Sequence, residues 1–205
     1  MEYKGSNFKV HQFPTPCLSH FSYMLVSNKE AVIIDPLRDI AGYLKLLKEQ
    51  DLKLKYVIET HFHADFVSGH YELSQKTGAK IVYGENNSAK FEHTQVKEGD
   101  VLKFGQSQLR IMSTPGHTLE SICIVAGDEE FVFTGDTLFL GDSGRPDLAN
   151  KAHKDLTPQK LASYLFDSLQ KLKKLKNSCV VLPSHGAGSP CGKKISKSLS
   201  STIGE

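Results

Sequence analysis

Residues 56–70 read YVIETHFHADFVSGH. A β-rich run, Tyr56 to Thr60, passes without a break into His61-Phe62-His63-Ala64-Asp65, so a buried strand delivers its end to a cluster of metal-ligand side chains. In extended backbone, residues i and i+2 project to the same side, which lets His61 and His63 converge while Asp65 stays on their flank. The Thr60 hydroxyl is placed to brace this loop. Taken alone, two histidines around Phe62 also fit a purely structural role.

Three further segments repeat the pattern of a His or Asp at a strand end beside a tight turn. Thr114-Pro115-Gly116-His117 follows the strand QLRIM, and its Pro-Gly forces a sharp turn that presents His117. Gly135-Asp136-Thr137 closes the apolar run EFVFT, leaving a carboxylate at a buried strand end, where a cation is the partner that offsets its burial. Ser184-His185-Gly186 closes CVVLP in the same way.

Around these motifs the chain reads as alternating strands and a few helices. FKVHQF, HFSYMLVS and AVIIDP form a meander, and Ile40, Tyr43, Leu44 and Leu47 mark an amphipathic helix over about 39–50. A helix follows from Tyr71, with Gly78 as its C-terminal cap. After the strand KIVYGE come DVLKF, QLRIM, SICIVAG and EFVFTGD. Thr157-Pro158 then caps a helix over about 157–174, with Leu161, Leu165, Leu169 and Leu172 on one face and lysines on the other. Ile195, Leu199 and Ile203 recur at a spacing of four in a tail without a C-cap, and the chain reads as a module of something longer. The order predicts two mainly antiparallel sheets covered by helices, an αββα sandwich in the α/β or α+β class.

With 205 residues, 39% hydrophobic and 23% charged, the chain has the composition of one ordinary globular domain. No apolar run approaches the roughly 20 residues of a membrane helix, and the first residues lack the apolar core of an export signal. The net charge of +2 makes neither nucleic acid nor membrane the default partner. Four scattered cysteines without a CxxC pair fit reduced thiols, and the expected location is cytoplasmic.

The ordered set HxHxD, PGHT, GDTLF and SHG, from about Thr60 to Gly186, resembles the metallo-β-lactamase superfamily. That resemblance implies an αββα sandwich with metal at the sheet edges, two zinc ions in its hydrolases. Those dinuclear members carry HxHxDH, and here the last histidine is Phe66, which cannot ligate. A second ion would keep only Asp65, Asp136 and His185, so the motif points to a mononuclear site.

HADFVSGH, GDTLFLGDSGRPDL and HGAGSPCG resemble the persulfide (sulfur) dioxygenase branch more closely. The resemblance implies one Fe(II) held by His61, His117 and Asp136, the facial arrangement of two histidines and one carboxylate. His63, Asp65 and His185 then stand behind the ligands and orient them or bound water. Zn(II) held by His61, His63 and His117 is the alternative. The substrates implied are O2 and a small-molecule thiol persulfide such as that of glutathione, with a rhodanese (sulfurtransferase) domain or partner and a homodimer as further expectations. A hydroxyacylglutathione hydrolase-type thioesterase is the rival activity, and a non-catalytic metal-binding module the second rival.

Arg145, in the turn GDSGRPD, is the candidate for the substrate carboxylate, with a pair to Asp142 or Asp147 as its alternative role. Cys191 reads as a free surface thiol or a contact to a sulfur substrate. His11, His20, His93 and His153 lack ligand neighbours and read as surface or strand residues, while His70 reads as packing or capping.

Overall fold

The computed structural model describes residues 1–147 and 156–205. His153 lies outside the described residues, as does Leu148, the last residue of the GDTLFLGDSGRPDL stretch.

The chain opens with β1 (Glu2–Lys4), β2 (Lys9–Thr15), β3 (His20–Ser27) and β4 (Glu30–Ile34), the meander that the alternating runs predict. Helix α1 (Ala41–Glu49), β5 (Lys53–Ile58), α2 (His70–Thr77), β6 (Lys80–Gly84) and β7 (Thr94–Val96) complete a seven-stranded sheet in sequential order. Its β1–β4 pairings are antiparallel, whereas β4–β5, β5–β6 and β6–β7 are parallel. Crossover helices permit this: α1 bridges β4 to β5 and α2 bridges β5 to β6, a connection that a tight hairpin cannot make.

The second sheet contains β8 (Val101–Phe104), β9 (Ser107–Ser113), β10 (Ile122–Ala126), β11 (Phe131–Gly135), β14 (Val180–Pro183) and β15 (Ser201–Thr202), in the order β15-β14-β11-β10-β9-β8. The small ribbon β12 (Leu138–Phe139) and β13 (Asp142–Ser143) and the helix α3 (Pro158–Leu172) lie between β11 and β14. Thr157 caps α3, its hydroxyl accepting the Lys160 N–H at 3.2 Å. The tail pattern of Ile195, Leu199 and Ile203 forms no helix; β15 pairs there with β14 instead.

Three apolar layers hold the sandwich. Val10, Tyr23, Val32, Ile58, Leu109, Ile124 and Phe133 meet between the sheets. Tyr43 and Leu47 of α1 cover the outer face of the first sheet against Ile33 and Val57. Leu172 of α3 covers the second against Cys123, Val132 and Val181. Because β4 runs parallel to β5, and β11 to β14, the carboxyl ends of these strands gather at one edge of the sandwich. Strand β9, antiparallel to β10, which is itself antiparallel to β11, also ends there. Among the described residues, no helix is long and apolar enough to cross a membrane.

Candidate metal centre

The residues that leave those strand ends are Asp35 after β4, His61 to Asp65 after β5, His117 after β9, Asp136 after β11 and His185 after β14. Backbone bonds fasten the edge across the two sheets: Ile122 N–H donates to Thr60 O at 2.9 Å and Phe21 N–H to Ser184 O at 2.8 Å. Two glycines let the loops close. Gly135 has φ +53° and rests on Thr60, where an added Cβ would stand 2.7 Å from Oγ1. A Cβ on Gly144 would strike the Asp136 carbonyl oxygen at 1.8 Å.

His61, His117 and Asp136 bring one donor atom each to a common point, all within 4.8 Å of one another. Asp136 Oδ2 is 3.7 Å from His61 Nε2 and 3.5 Å from His117 Nε2. That oxygen is buried and has no hydrogen-bond partner among the described residues. An orphaned buried carboxylate oxygen facing two imidazole nitrogens fits a cation.

The far nitrogen of each histidine is fixed. His117 Nδ1 is 3.0 Å from the Arg145 carbonyl, to which it can only donate. His61 Nδ1 is 2.9 Å from Thr60 Oγ1, which gives its own proton to Asp35 Oδ2 at 2.7 Å. His61 therefore donates from Nδ1, and both Nε2 lone pairs face Asp136. Burial, followed by the neighbouring His63, holds His61 well below its ordinary value, so the ring stays neutral as a ligand requires.

His63 does not join this cluster. Its Nε2 lies 3.2 Å from Asp35 Oδ1 and 3.5 Å from Glu59 Oε2, in a pocket closed to solvent. Burial opposes its charge, but Asp35 outweighs burial and raises the imidazole to about 9. The Zn(II) set of His61, His63 and His117 is therefore not assembled here; two imidazoles and one carboxylate are. Phe66 stacks on His20 and His63, at centroid distances of 4.3 and 4.4 Å.

His185 is completely buried. It lies between two carboxylates, with Nδ1 2.7 Å from Asp136 Oδ1 and Nε2 2.8 Å from Asp65 Oδ2. Burial again opposes its charge, and Asp136 followed by Asp65 outweighs it, raising the imidazole to about 10.

Of the two roles weighed for Arg145 the intramolecular pair is the one formed, and the surface-thiol reading of Cys191 changes. Arg145 forms a bidentate pair with Asp147, at 2.7 and 2.6 Å, with its side chain 44% exposed. Asp142 is not its partner, because that carboxylate accepts the backbone N–H groups of Lys193 and Lys194. Cys191 is buried rather than a surface thiol, and its sulfur lies within 4.8 Å of donor atoms of Asp65 and His185.

Three residues around the centre escaped the motif reading. Asp35 accepts from Thr60 N–H, Thr60 Oγ1 and Ser184 Oγ, joining the ends of β4, β5 and β14. His20 is on strand β3 as expected but fully buried, its Nε2 3.0 Å from the Asp35 carbonyl. Glu59 lies beneath His63 and accepts from Ser68 Oγ at 2.7 Å. Asp35 carried the same signal as Asp136, an acid closing an apolar strand, in AVIID. His70 packs as expected, 3.4 Å from Glu59 and against Tyr83 and Phe91.

Residues 15–185 match the family described as the metallo-beta-lactamase superfamily. The chain belongs to the metallo-β-lactamase superfamily. Among superfamily members, the human mitochondrial persulfide dioxygenase ETHE1 is 31% identical over 186 residues, which cover 88% of this chain and 69% of that protein. The hydroxyacylglutathione hydrolase of Pelagibacter ubique is 31% identical over 174 residues, 82% of this chain and 68% of that one. ETHE1 from Myxococcus xanthus superposes with a TM-score of 0.81 at 32% identity, over 96% of this chain and 80% of that chain. A metallo-beta-lactamase from Staphylococcus aureus superposes with a TM-score of 0.87 at 32% identity. The alignment covers 97% of this chain but only 61% of the Staphylococcus aureus chain. The persulfide dioxygenase and the hydroxyacylglutathione hydrolase act, by name, on small thiol compounds or their derivatives.

Proposed function

We propose that the chain is a mononuclear Fe(II) persulfide dioxygenase domain that oxidises a low-molecular-weight persulfide with O2. The observation that carries this reading is the withdrawal of His63 by Asp35 and Glu59. What remains is two imidazoles and one carboxylate, the donor set of non-haem Fe(II) oxygenases, with positions open for substrate and oxygen. The human and Myxococcus xanthus ETHE1 relatives support the same branch.

His61, His117 and Asp136 would hold the ion. Bound there, Fe(II) would supply Lewis acidity and the electron density that activation of O2 requires. Thr60 and the Arg145 carbonyl keep His61 and His117 in the ligating tautomer. His185 holds a proton at Nε2 between the cleft and Asp65, beside the carboxylate ligand it orients. The terminal sulfur takes up both oxygen atoms and water cleaves the S–S bond, so that RSSH, O2 and H2O give RSH, sulfite and two protons. Arg145 would receive a substrate carboxylate at the rim of a 480 Å³ cavity lined also by Gly144, Pro190 and Lys193. That carboxylate would have to displace Asp147 from the guanidinium fork.

One observation favours a second reading, zinc-dependent thioester hydrolysis: the Pelagibacter ubique hydrolase is as similar in sequence as human ETHE1. Reconstituting metal-free protein with Fe(II) or Zn(II) separates them. The dioxygenase reading expects persulfide-dependent sulfite production from the Fe(II) form alone. Thioester hydrolysis by the Zn(II) form, with no sulfite from the Fe(II) form, would overturn it.

A further inference from the structure

Lys193 lines the same 480 Å³ cavity as Arg145, from the opposite loop. The two loops are tied together beside the metal cluster: Arg145 N–H donates to the Cys191 carbonyl at 3.3 Å, and the Arg145 carbonyl accepts from His117 Nδ1 at 3.0 Å. The Cys191 sulfur in turn lies within 4.8 Å of donor atoms of Asp65 and His185. Both walls of the cavity therefore start at the centre, and each carries one cation outward.

Charge along these walls is unevenly satisfied. Asp142 is occupied by the N–H groups of Ser143, Lys193 and Lys194, and Asp147 by the Arg145 fork. Lys193 is the exposed cation of this lining that has no carboxylate partner among the described residues. Its field still reaches the fork: the Asp147 carboxyl is held down to about 2, chiefly by its hydrogen bonds to Arg145, and the Lys193 charge adds to the effect. The bond from Lys193 N–H to Asp142 fixes where this side chain leaves the loop. Gly192 permits the tight path before it, because a Cβ there would stand 2.7 Å from Ile195 Cγ1.

We propose, on the persulfide reading above, that Lys193 is a specificity residue that holds a second anionic group of the thiol carrier while Arg145 holds the first. The carrier class is a thiol with two carboxylates; a carrier with one uses the fork alone. Asp147 shows what the fork takes, since the planar guanidinium meets both of its carboxylate oxygens. The Lys193 ammonium is a point charge on a flexible stem, so it sets reach and sign rather than shape. Exposed to solvent, it contributes as a screened ion pair, about three- to fivefold in affinity.

Calorimetric binding of two unreactive thioethers to the purified protein tests this without turnover: S-methylglutathione, with two carboxylates, and S-methylcysteine, with one. Wild type should prefer S-methylglutathione. Lys193→Gln should weaken that ligand by about three- to fivefold and leave S-methylcysteine nearly unchanged. Lys193→Arg should keep the preference, and added salt should diminish it. Lys197→Gln removes the same charge from the same loop but lines another cavity, and should change neither affinity. Wild-type protein that binds the two thioethers equally, or Lys193→Gln protein that keeps the wild-type preference, would overturn the proposal. So would an equal loss in Lys197→Gln, which assigns the effect to net charge. Failure of the persulfide reading shows instead as absence of sulfite from the Fe(II) form, a measurement in which thioether binding plays no part.

Discussion

Replacing Thr60 by valine keeps the shape of the side chain and deletes one hydroxyl. That hydroxyl links the Asp35 carboxylate, at 2.7 Å, to His61 Nδ1, at 2.9 Å. In Thr60→Val, Asp35 keeps the backbone N–H of residue 60 and the Ser184 hydroxyl. His61 keeps nothing at Nδ1, so a buried N–H loses its acceptor at a cost of about 1–3 kcal/mol. At roughly 2–4 °C per kcal/mol for a chain of this size, the metal-free protein should melt about 2–12 °C lower. The ligating tautomer is also no longer enforced, and loss of such a partner weakens metal affinity by about 10- to 100-fold. Chelator competition with Fe(II), beside thermal unfolding of the metal-free form, measures both. Thr60→Ser should recover most of the affinity. Unchanged affinity in Thr60→Val would refute the claim that the Asp35–Thr60 link sets the His61 tautomer.

His63→Ala should bind one Fe(II) per chain but lose about 3–5 kcal/mol of stability, because Asp35 and Glu59 would be left buried without their cation; metal analysis and urea unfolding check both halves. Arg145→Ala should raise KM for a carboxylate-bearing persulfide by about tenfold, the value of a charged hydrogen bond, while Tm stays nearly constant because the Asp147 pair is exposed. Asp147→Ala should lower the same KM by freeing the fork, and an unchanged KM ratio between charged and neutral persulfides in Arg145→Ala would retire Arg145 from recognition. Burial raises the Asp142 carboxyl, but the N–H groups of Lys194, Ser143 and Lys193 outweigh it and hold it below the ordinary range. Its contribution is thus complete above the unfolded value of about 3.9 and lost as pH falls below it. Asp142→Asn should flatten that acid limb of the Tm–pH curve.

How much of this could be read in advance depended on where each signal resides. The strand-end motifs are local, so His61, His117, Asp136 and His185 were legible from a few residues each, and the capped helix α3 from Thr157-Pro158 and its leucine stripe. The direction in which His63 points was not legible, because Asp35, which draws it aside, lies 28 residues earlier at the end of another strand, and only the pairing of β4 with β5 brings the two together. His20 was hidden for a related reason: strand alternation gives a residue's side of the sheet, whereas its burial comes from β14 arriving from the far end of the chain to place His185 against it. The bidentate Arg145–Asp147 pair and the burial of Cys191 likewise arise from how two loops meet, which neither loop encodes alone.

In the proposed function, the triad of His61, His117 and Asp136 supports oxygen transfer to a persulfide sulfur. Oxygen consumption by Fe(II)-reconstituted protein, recorded together with sulfite on addition of glutathione persulfide, tests it most directly. One O2 should be consumed for each sulfite formed, with both signals absent in Asp136→Ala. Persulfide or thioester turnover without any oxygen uptake would contradict it.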